Sequence, residues 1–172
     1  MIAAEQRHIV VTGAMGVGKT TVGRLLAAKL ELAFHDSDVA IEARLGDTGA
    51  EIARREGVTM LHRIELEVFL EMCRRSAPGV IAPASSVVDS RRGRKAMAGN
   101  LTIWLKAPDA VIASRQARGD HRRVVGAEER ARLRERRRPS LEAVSAISIE
   151  TGDISPSEVV DELTATLRET SP

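Results

Sequence analysis

The run Gly13-Ala14-Met15-Gly16-Val17-Gly18-Lys19-Thr20 spells G-x-x-x-x-G-K-S/T, the pattern of a loop that cradles phosphate. Its glycines allow backbone N–H groups to turn inward around phosphate oxygens, and a helix starting behind them adds positive potential. Lys19 is long enough to reach the β- and γ-phosphates, and the Thr20 hydroxyl is a ligand for Mg²⁺. Gly13, Gly16, Val17, Gly18, Lys19, Thr20 and Thr21 are therefore the expected nucleotide contacts, with a nucleoside triphosphate and Mg²⁺ as the expected cofactors. A Gly-rich turn would match the bare pattern too. Here the β-branched stretch Arg7–Thr12 precedes the loop and the amphipathic stretch Val22–Leu30 follows it, which is the strand–loop–helix order the phosphate site needs.

A second constellation lies at Asp36 and Asp38, after the short apolar stretch Leu32–Asp36. In open α/β sheets, ligands gather at the C-terminal ends of parallel strands. One carboxylate there can hold Mg²⁺ or its water shell, while the other accepts a hydrogen bond from an acceptor hydroxyl and orients it. Asp38 could equally cap the helix that follows. A carboxylate pair facing a phosphate loop suits phosphoryl transfer, where catalysis is mostly positioning and charge stabilisation.

These groups need a frame, and the chain alternates strand and helix signals. Strands are expected at Arg7–Thr12, Leu32–Asp36, Gly79–Ala82, Leu101–Leu105 and Ala146–Ile149. A helix is expected from about Asp38 to Leu45, and Thr48-Gly49-Ala50-Glu51 has capping-box spacing for a short helix ending near Gly57. Leu61, Ile64, Val68 and Met72 form one apolar stripe on a long helix. The segment from Asp89 to Met97 reads as a basic, weakly helical crossover, and a helix follows from about Pro108 to Arg118. An Arg-rich helix comes next, its Arg130, Arg132, Arg134 and Arg136 reading as a solvated face beside Glu128, Glu129 and Glu135. Ser155-Pro156-Ser157-Glu158 opens the last helix, with serine at the cap, proline at the first position and glutamate at the third. Strands joined by helical crossovers make a parallel sheet covered on both faces, so the expected architecture is an α/β, three-layer α/β/α P-loop NTPase fold with five parallel strands.

Composition narrows the classes. A chain of 172 residues suits one domain over 1–172 and a monomer. A single cysteine, Cys73, excludes an internal disulfide and reads as a small core residue rather than a nucleophile. No apolar run is long enough for a membrane span and Met1–Arg7 has no signal-peptide core, so a cytoplasmic enzyme is expected. With a formal charge of +2, no Tyr, one Trp and two Phe, the chain lacks both the charge and the stacking surface for a nucleic-acid partner.

The combination of Gly13–Thr20, Phe34-His35-Asp36-Ser37-Asp38, and Glu56-Gly57 followed by Arg63-Ile64-Glu65-Leu66-Glu67 resembles shikimate kinase over nearly the whole chain. The phosphate loop is shared by many NTPases; the aspartate pair at this distance with the E-G…R-I-E-x-E helix is far more specific. The resemblance implies a nucleoside-monophosphate-kinase-like fold with a lid near 118–127, an acceptor-binding segment near 36–65, and transfer of the ATP γ-phosphate to a hydroxyl of a small metabolite. It implies that Asp36 serves the metal and Asp38 the acceptor hydroxyl, as orienting group or base. It places Arg122 in the lid over the phosphates, although Arg123, where the family has proline, could do the same work, and it pairs Arg115 with Pro156 around adenine, a position that Pro156 could equally hold as the first residue of its helix.

The acceptor side departs from the family. His62 stands where a carboxylate-binding arginine is usual and Leu61 where phenylalanine is; Pro83 precedes Ala84-Ser85-Ser86 in place of a glycine triplet; Arg137 is kept, but Leu141 replaces a tyrosine. Histidine is shorter than arginine and cannot clamp a carboxylate with a planar fork. Side chains in place of glycine limit close approach, and serines add hydroxyls. His62, Ala84, Ser85, Ser86 and Arg137, with Asp38, are the expected acceptor contacts, although His62 also borders the apolar stripe and could be a packed helix edge. Three readings follow: a kinase of shikimate, a kinase of another polyol or sugar acid such as gluconate, and a catalytically silent nucleotide-binding regulator. The gluconate enzymes match less well after the aspartate pair. Against the regulator stand Lys19, Thr20, Asp36, Asp38 and Arg122 together, since a silent protein has no need of the transfer machinery.

Overall fold

Val10 and Val11 are completely buried, and the strand that holds them, β1 (Ile9–Gly13), is the middle of a five-stranded parallel sheet. The structure is a computed structural model that describes residues 7–117, 126–152 and 154–169. The remaining strands are β2 (Ala33–Asp36), β3 (Gly79–Ala82), β4 (Leu101–Lys106) and β5 (Ile147–Glu150), in the spatial order β2-β3-β1-β4-β5. Register brings Val10 beside Ile81 on one flank and Thr102 on the other, and Gly13 beside Leu105.

Because successive side chains on a strand face opposite ways, β1 feeds two cores. Ile9 and Val11 face α1 (Lys19–Lys29) and α8 (Pro156–Glu169), packing with Val22, Leu26, Val159 and Leu163. Val10 faces the other layer, with Ile41 of α2 (Ser37–Leu45), Ile52 of α3 (Gly49–Glu56), Phe69 of α4 (Val58–Met72), Met97 of α5 (Arg91–Ala98) and Leu141 of α7 (Ala127–Val144). The remaining helix, α6 (Asp109–Ala117), follows β4. Helices cover both faces, so the three-layer α/β/α arrangement expected from the sequence is the one found.

Local rules account for the boundaries. Thr48 and Glu51 close a reciprocal capping box at the start of α3. Ser155 and Glu158 do the same before α8, the Ser155 amide donating to Glu158 at 2.8 Å. The Asp89–Met97 crossover splits into a 3₁₀ turn, Val87–Asp89, and α5 capped by Ser90. β5 starts one residue later than its pattern suggests, since Ala146 uses its amide on the Thr102 carbonyl as the strand is entered.

Three details refine the sequence reading and its alternatives. The cap of α2 is Asp36 rather than Asp38: its Oδ1 accepts from the Asp38 amide at 2.9 Å. The arginines of α7 form a largely exposed face as expected, with partners beyond their own helix. Arg132, Arg134 and Arg136 are exposed, Arg134 pairing with Asp109 at 2.5 Å and Arg136 with Asp89 at 3.1 Å, and Arg130 is half-buried. Long-range partners on α6 and the 3₁₀ turn win because they lie where α7 crosses them. His62 is exposed rather than packed at a helix edge. Cys73, expected in the core, is half-buried against it, and burial pushes its thiol up to about 12, far from a nucleophile's range. Arg122 and nearly all of the expected lid lie outside the described residues.

Gly13 ends β1 with φ at 144°, and a Cβ there would stand 2.5 Å from the Leu105 carbonyl oxygen. Backbone strain plus a backbone clash predicts that Gly13→Ala destabilises the fold by about 2 kcal/mol or more, measured by urea unfolding. A loss below about 0.5 kcal/mol would show that β1 and β4 can separate there at little cost.

Candidate active site

The phosphate loop is a chain of left-handed turns. Gly13, Gly16 and Gly18 all have positive φ, and Gly18 forms the N-cap of α1 with φ at 109° and no side-chain cap. A helix start left uncapped by side chains points its first N–H groups into the loop, where an anion is stabilised. Lys19 Nζ donates to the carbonyls of Gly13 and Ala14 at 3.1 and 3.0 Å, which holds the ammonium over the loop. Val17 is buried, and its backbone serves the site: its carbonyl accepts from Arg115 Nη1 at 2.8 Å. Arg115 Nη2 donates to the Thr151 carbonyl at 2.8 Å, tying α6 to the segment before α8. A cavity of about 480 Å³ opens here, lined by Gly16 to Thr21 together with Arg115, Thr151 and Pro156. Every nucleotide residue expected from the sequence except Gly13 lines it, and Gly13 supplies the turn that starts the loop.

Asp36 joins this site to the aspartate pair. Thr20 Oγ1 donates to Asp36 Oδ2 at 2.7 Å while Oδ1 takes the Asp38 amide, so one carboxylate connects the start of α1 with the start of α2. Asp38 lies one position into α2 and is exposed. The two acids thus divide naturally. Asp36 is fixed beside the Thr20 hydroxyl, and Asp38 is turned to solvent next to it.

Ala84, Ser85 and Ser86, the expected acceptor contacts that follow Pro83, take separate places. Ala84 is in the core and Ser86 is 7 % exposed, its hydroxyl donating to Glu65 Oε2. Ser85 lines a second cavity of about 500 Å³ that runs from Gly13 and Ala14 past Arg137 to Trp104 and Ile112. Arg137, with a side chain only 11 % exposed, donates from Nε to Asp89 Oδ1 at 3.0 Å and from Nη2 to Oδ2 at 2.6 Å. Its Nη1 reaches Ser85 Oγ at 3.4 Å. Burial pushes the Asp89 carboxyl up, but the Arg137 hydrogen bond and the charges of Arg137, Arg136 and His62 outweigh it and hold the group below the usual carboxylate range.

Glu65, Asp89 and Thr151 are site residues that the sequence reading assigned no role. Glu65 had a visible signal: it stands four after Leu61 and three before Val68, a carboxylate within the apolar face of α4. Burial, reinforced by the Asp38 carboxylate, raises it to about 7 against the Ser86 hydrogen bond and the charges of Arg137 and Lys19. Asp89 and Thr151 gave no such signal, because their partners are 48 and 36 residues away in the chain.

Comparison with known proteins agrees with this geometry. The family model for shikimate kinase matches residues 15–168. The chain belongs to the shikimate kinase family. A shikimate kinase of Rhodococcus jostii is 34% identical over 164 residues, covering 93% of this chain and 97% of that protein. One from Pseudomonas syringae pv. tomato is 34% identical over 172 residues, covering 96% and 99%. Among solved structures, the shikimate kinase from Acinetobacter baumannii in complex with shikimate superposes with a TM-score of 0.88 at 27% identity, covering 95% of this chain and 93% of that one. A gluconokinase from Sinorhizobium meliloti reaches a TM-score of 0.58 at 18% identity, a likeness of fold alone. As a member of the family, the protein is an ATP-dependent small-molecule kinase, and the regulatory and gluconate readings are not favoured. No helix among the described residues is long and apolar enough to cross a membrane.

Glu65 makes stability depend on pH in a defined direction. Its folded pKa of about 7 lies above the ordinary 4.5, so its contribution is fully present below pH 4.5 and is lost as pH rises through about 7. The span is worth at most about 3 kcal/mol. Glu65→Gln should therefore flatten the fall in Tm between pH 4.5 and 7 relative to wild type. Parallel Tm curves for the two proteins would contradict the assignment.

Proposed function

We propose that this kinase transfers the γ-phosphate of ATP to a hydroxyl of a small polyhydroxylated ring compound of the shikimate kind. The hydrogen bond from Thr20 to Asp36, with Asp38 held on the same carboxylate, carries the proposal: a metal at Thr20 and Asp36 and an acceptor hydroxyl at Asp38 would stand side by side at the mouth of the phosphate loop. A hydroxyl and a carboxylate are fitting oxygen ligands for Mg²⁺, which favours one or two protein ligands plus phosphate oxygens and waters. Bound there with ATP, Mg²⁺ would neutralise charge on the β- and γ-phosphates.

The chain's own residues perform the rest. Backbone N–H groups of Gly16 to Thr21 hold the phosphates and Lys19 stabilises charge on the moving phosphoryl group. Asp38 orients the acceptor hydroxyl and takes its proton as the acceptor oxygen bonds to phosphorus. The bond from phosphorus to the β–γ bridging oxygen breaks, and ADP leaves. Arg115 and Pro156 flank the base side of the cavity, and Arg122 is assigned to the lid by resemblance. Ser85 and Arg137 line the neighbouring cavity, with His62 on the exposed face of α4. Every side chain in this scheme comes from one chain, so a monomer suffices.

Lys19→Ala should lower kcat by roughly a hundredfold or more while leaving Tm nearly unchanged, since the lost contact is worth most in the transition state. Asp36→Asn should raise the Mg²⁺ concentration needed for half-maximal rate, and Asp38→Asn should lower kcat for acceptor phosphorylation with that requirement unchanged. Steady-state kinetics across Mg²⁺ and acceptor concentrations checks all three. Near-normal turnover by folded Lys19→Ala, or identical profiles for the two aspartate variants, would refute the roles.

A further inference from the structure

The acceptor side carries its own counter-charge. Arg137 presents Nε and Nη2 as a planar fork, the geometry that grips a carboxylate with two parallel hydrogen bonds, and both prongs are engaged by Asp89 at 3.0 and 2.6 Å. Its Nη1 is directed to Ser85. Asp89 also takes Arg136 at 3.1 Å and lies in the field of His62, so three basic groups act on this one carboxylate. Two more acids, Asp38 and Glu65, lie within electrostatic reach of each other, and Glu65 also within that of Arg137. Among the described residues, Lys19 is the remaining cation acting on Glu65, and it belongs to the phosphate loop.

An acceptor carboxylate directed to the Nε–Nη2 edge of Arg137 would compete with Asp89 for a side chain that is only 11 % exposed. An uncharged acceptor meets no such competition. Resting on the phosphotransfer reading above, we infer that Asp89 occupies from within the protein the place of an acceptor carboxylate against Arg137, making it a specificity-determining residue that favours uncharged polyhydroxylated ring acceptors over their carboxylated counterparts. Ser85 secures the third side of the same arginine. Ser86, whose hydroxyl is committed to Glu65, is likewise occupied within the protein.

The test compares two acceptors differing in one group: shikimate, and its neutral analogue with hydroxymethyl in place of the carboxylate. In wild-type protein, kcat/KM for the neutral compound should exceed that for shikimate by about tenfold or more, the scale of one charged contact. Asp89→Asn keeps the side-chain size and removes the charge. It should shift the ratio toward shikimate by about tenfold or more, chiefly through the KM for shikimate. A wild-type preference for shikimate, or a ratio unmoved in a folded Asp89→Asn protein, would overturn the inference while leaving the phosphotransfer reading intact. If the variant does not fold, the wild-type preference decides alone. Phosphorylation of neither compound by protein that binds ATP would overturn the phosphotransfer reading and this inference with it.

Discussion

Strand β1 must approach β4 closely enough at its C-terminal end that no side chain fits between them. Gly13 sits at φ 144° against the Leu105 carbonyl, and from that point the backbone leaves the sheet as the phosphate loop. The buried strand behind it feeds both hydrophobic layers through alternating side chains, so the loop is anchored to the most rigid part of the molecule. A phosphate cradle made of backbone N–H groups depends on that rigidity, because it has no side-chain rotamers with which to adjust. Arg115 and Thr151 brace the far side through the Val17 carbonyl, joining α6 and the start of α8 to the same loop.

Asp36 extends the constraint across the sheet. β2 is separated from β1 by β3, yet the Asp36 carboxylate reaches the Thr20 hydroxyl and also caps α2. One side chain thus caps α2 and ties it to the Thr20 hydroxyl at the phosphate loop. It also determines where Asp38 emerges. In the proposed scheme, helix capping and the positioning of the two carboxylates are the same hydrogen bonds.

Much of this was legible in the chain because it is local. The loop, the capping boxes at Thr48 and Ser155 and the strand–helix alternation each depend on residues within a few positions of one another, and the structure agrees with them to within a residue or two. The aspartate pair was legible as a pair, but the cap fell to Asp36, a matter of where β2 stops. What stayed hidden is long-range. Arg134 and Arg136 are exposed as read, but their partners Asp109 and Asp89 come from other elements and could not be seen in the chain. Asp89 looked like the start of a basic crossover, and only the crossing of α7 over the 3₁₀ turn brings it to Arg137. Serines in place of glycines suggested extra donors for an acceptor; in the fold, Ser86 spends its hydroxyl on Glu65.

The protein therefore joins a half that carries the phosphate loop to a proposed acceptor half in which Arg137 pairs with Asp89 and Ser86 with Glu65. Both halves meet at Asp36 and Asp38, so the central claim is that ATP cleavage is coupled to a hydroxylated acceptor. Acceptor-dependent ADP release by the wild-type protein tests it most directly, measured over a panel of ring polyols, their carboxylated relatives and open-chain sugar acids, with phosphorus NMR of the products. The account predicts that at least one ring polyol raises ADP release well above the rate with water alone, with one phosphorylated acceptor formed per ADP. An ADP release rate that is the same with and without every acceptor, in protein that binds ATP, would contradict it.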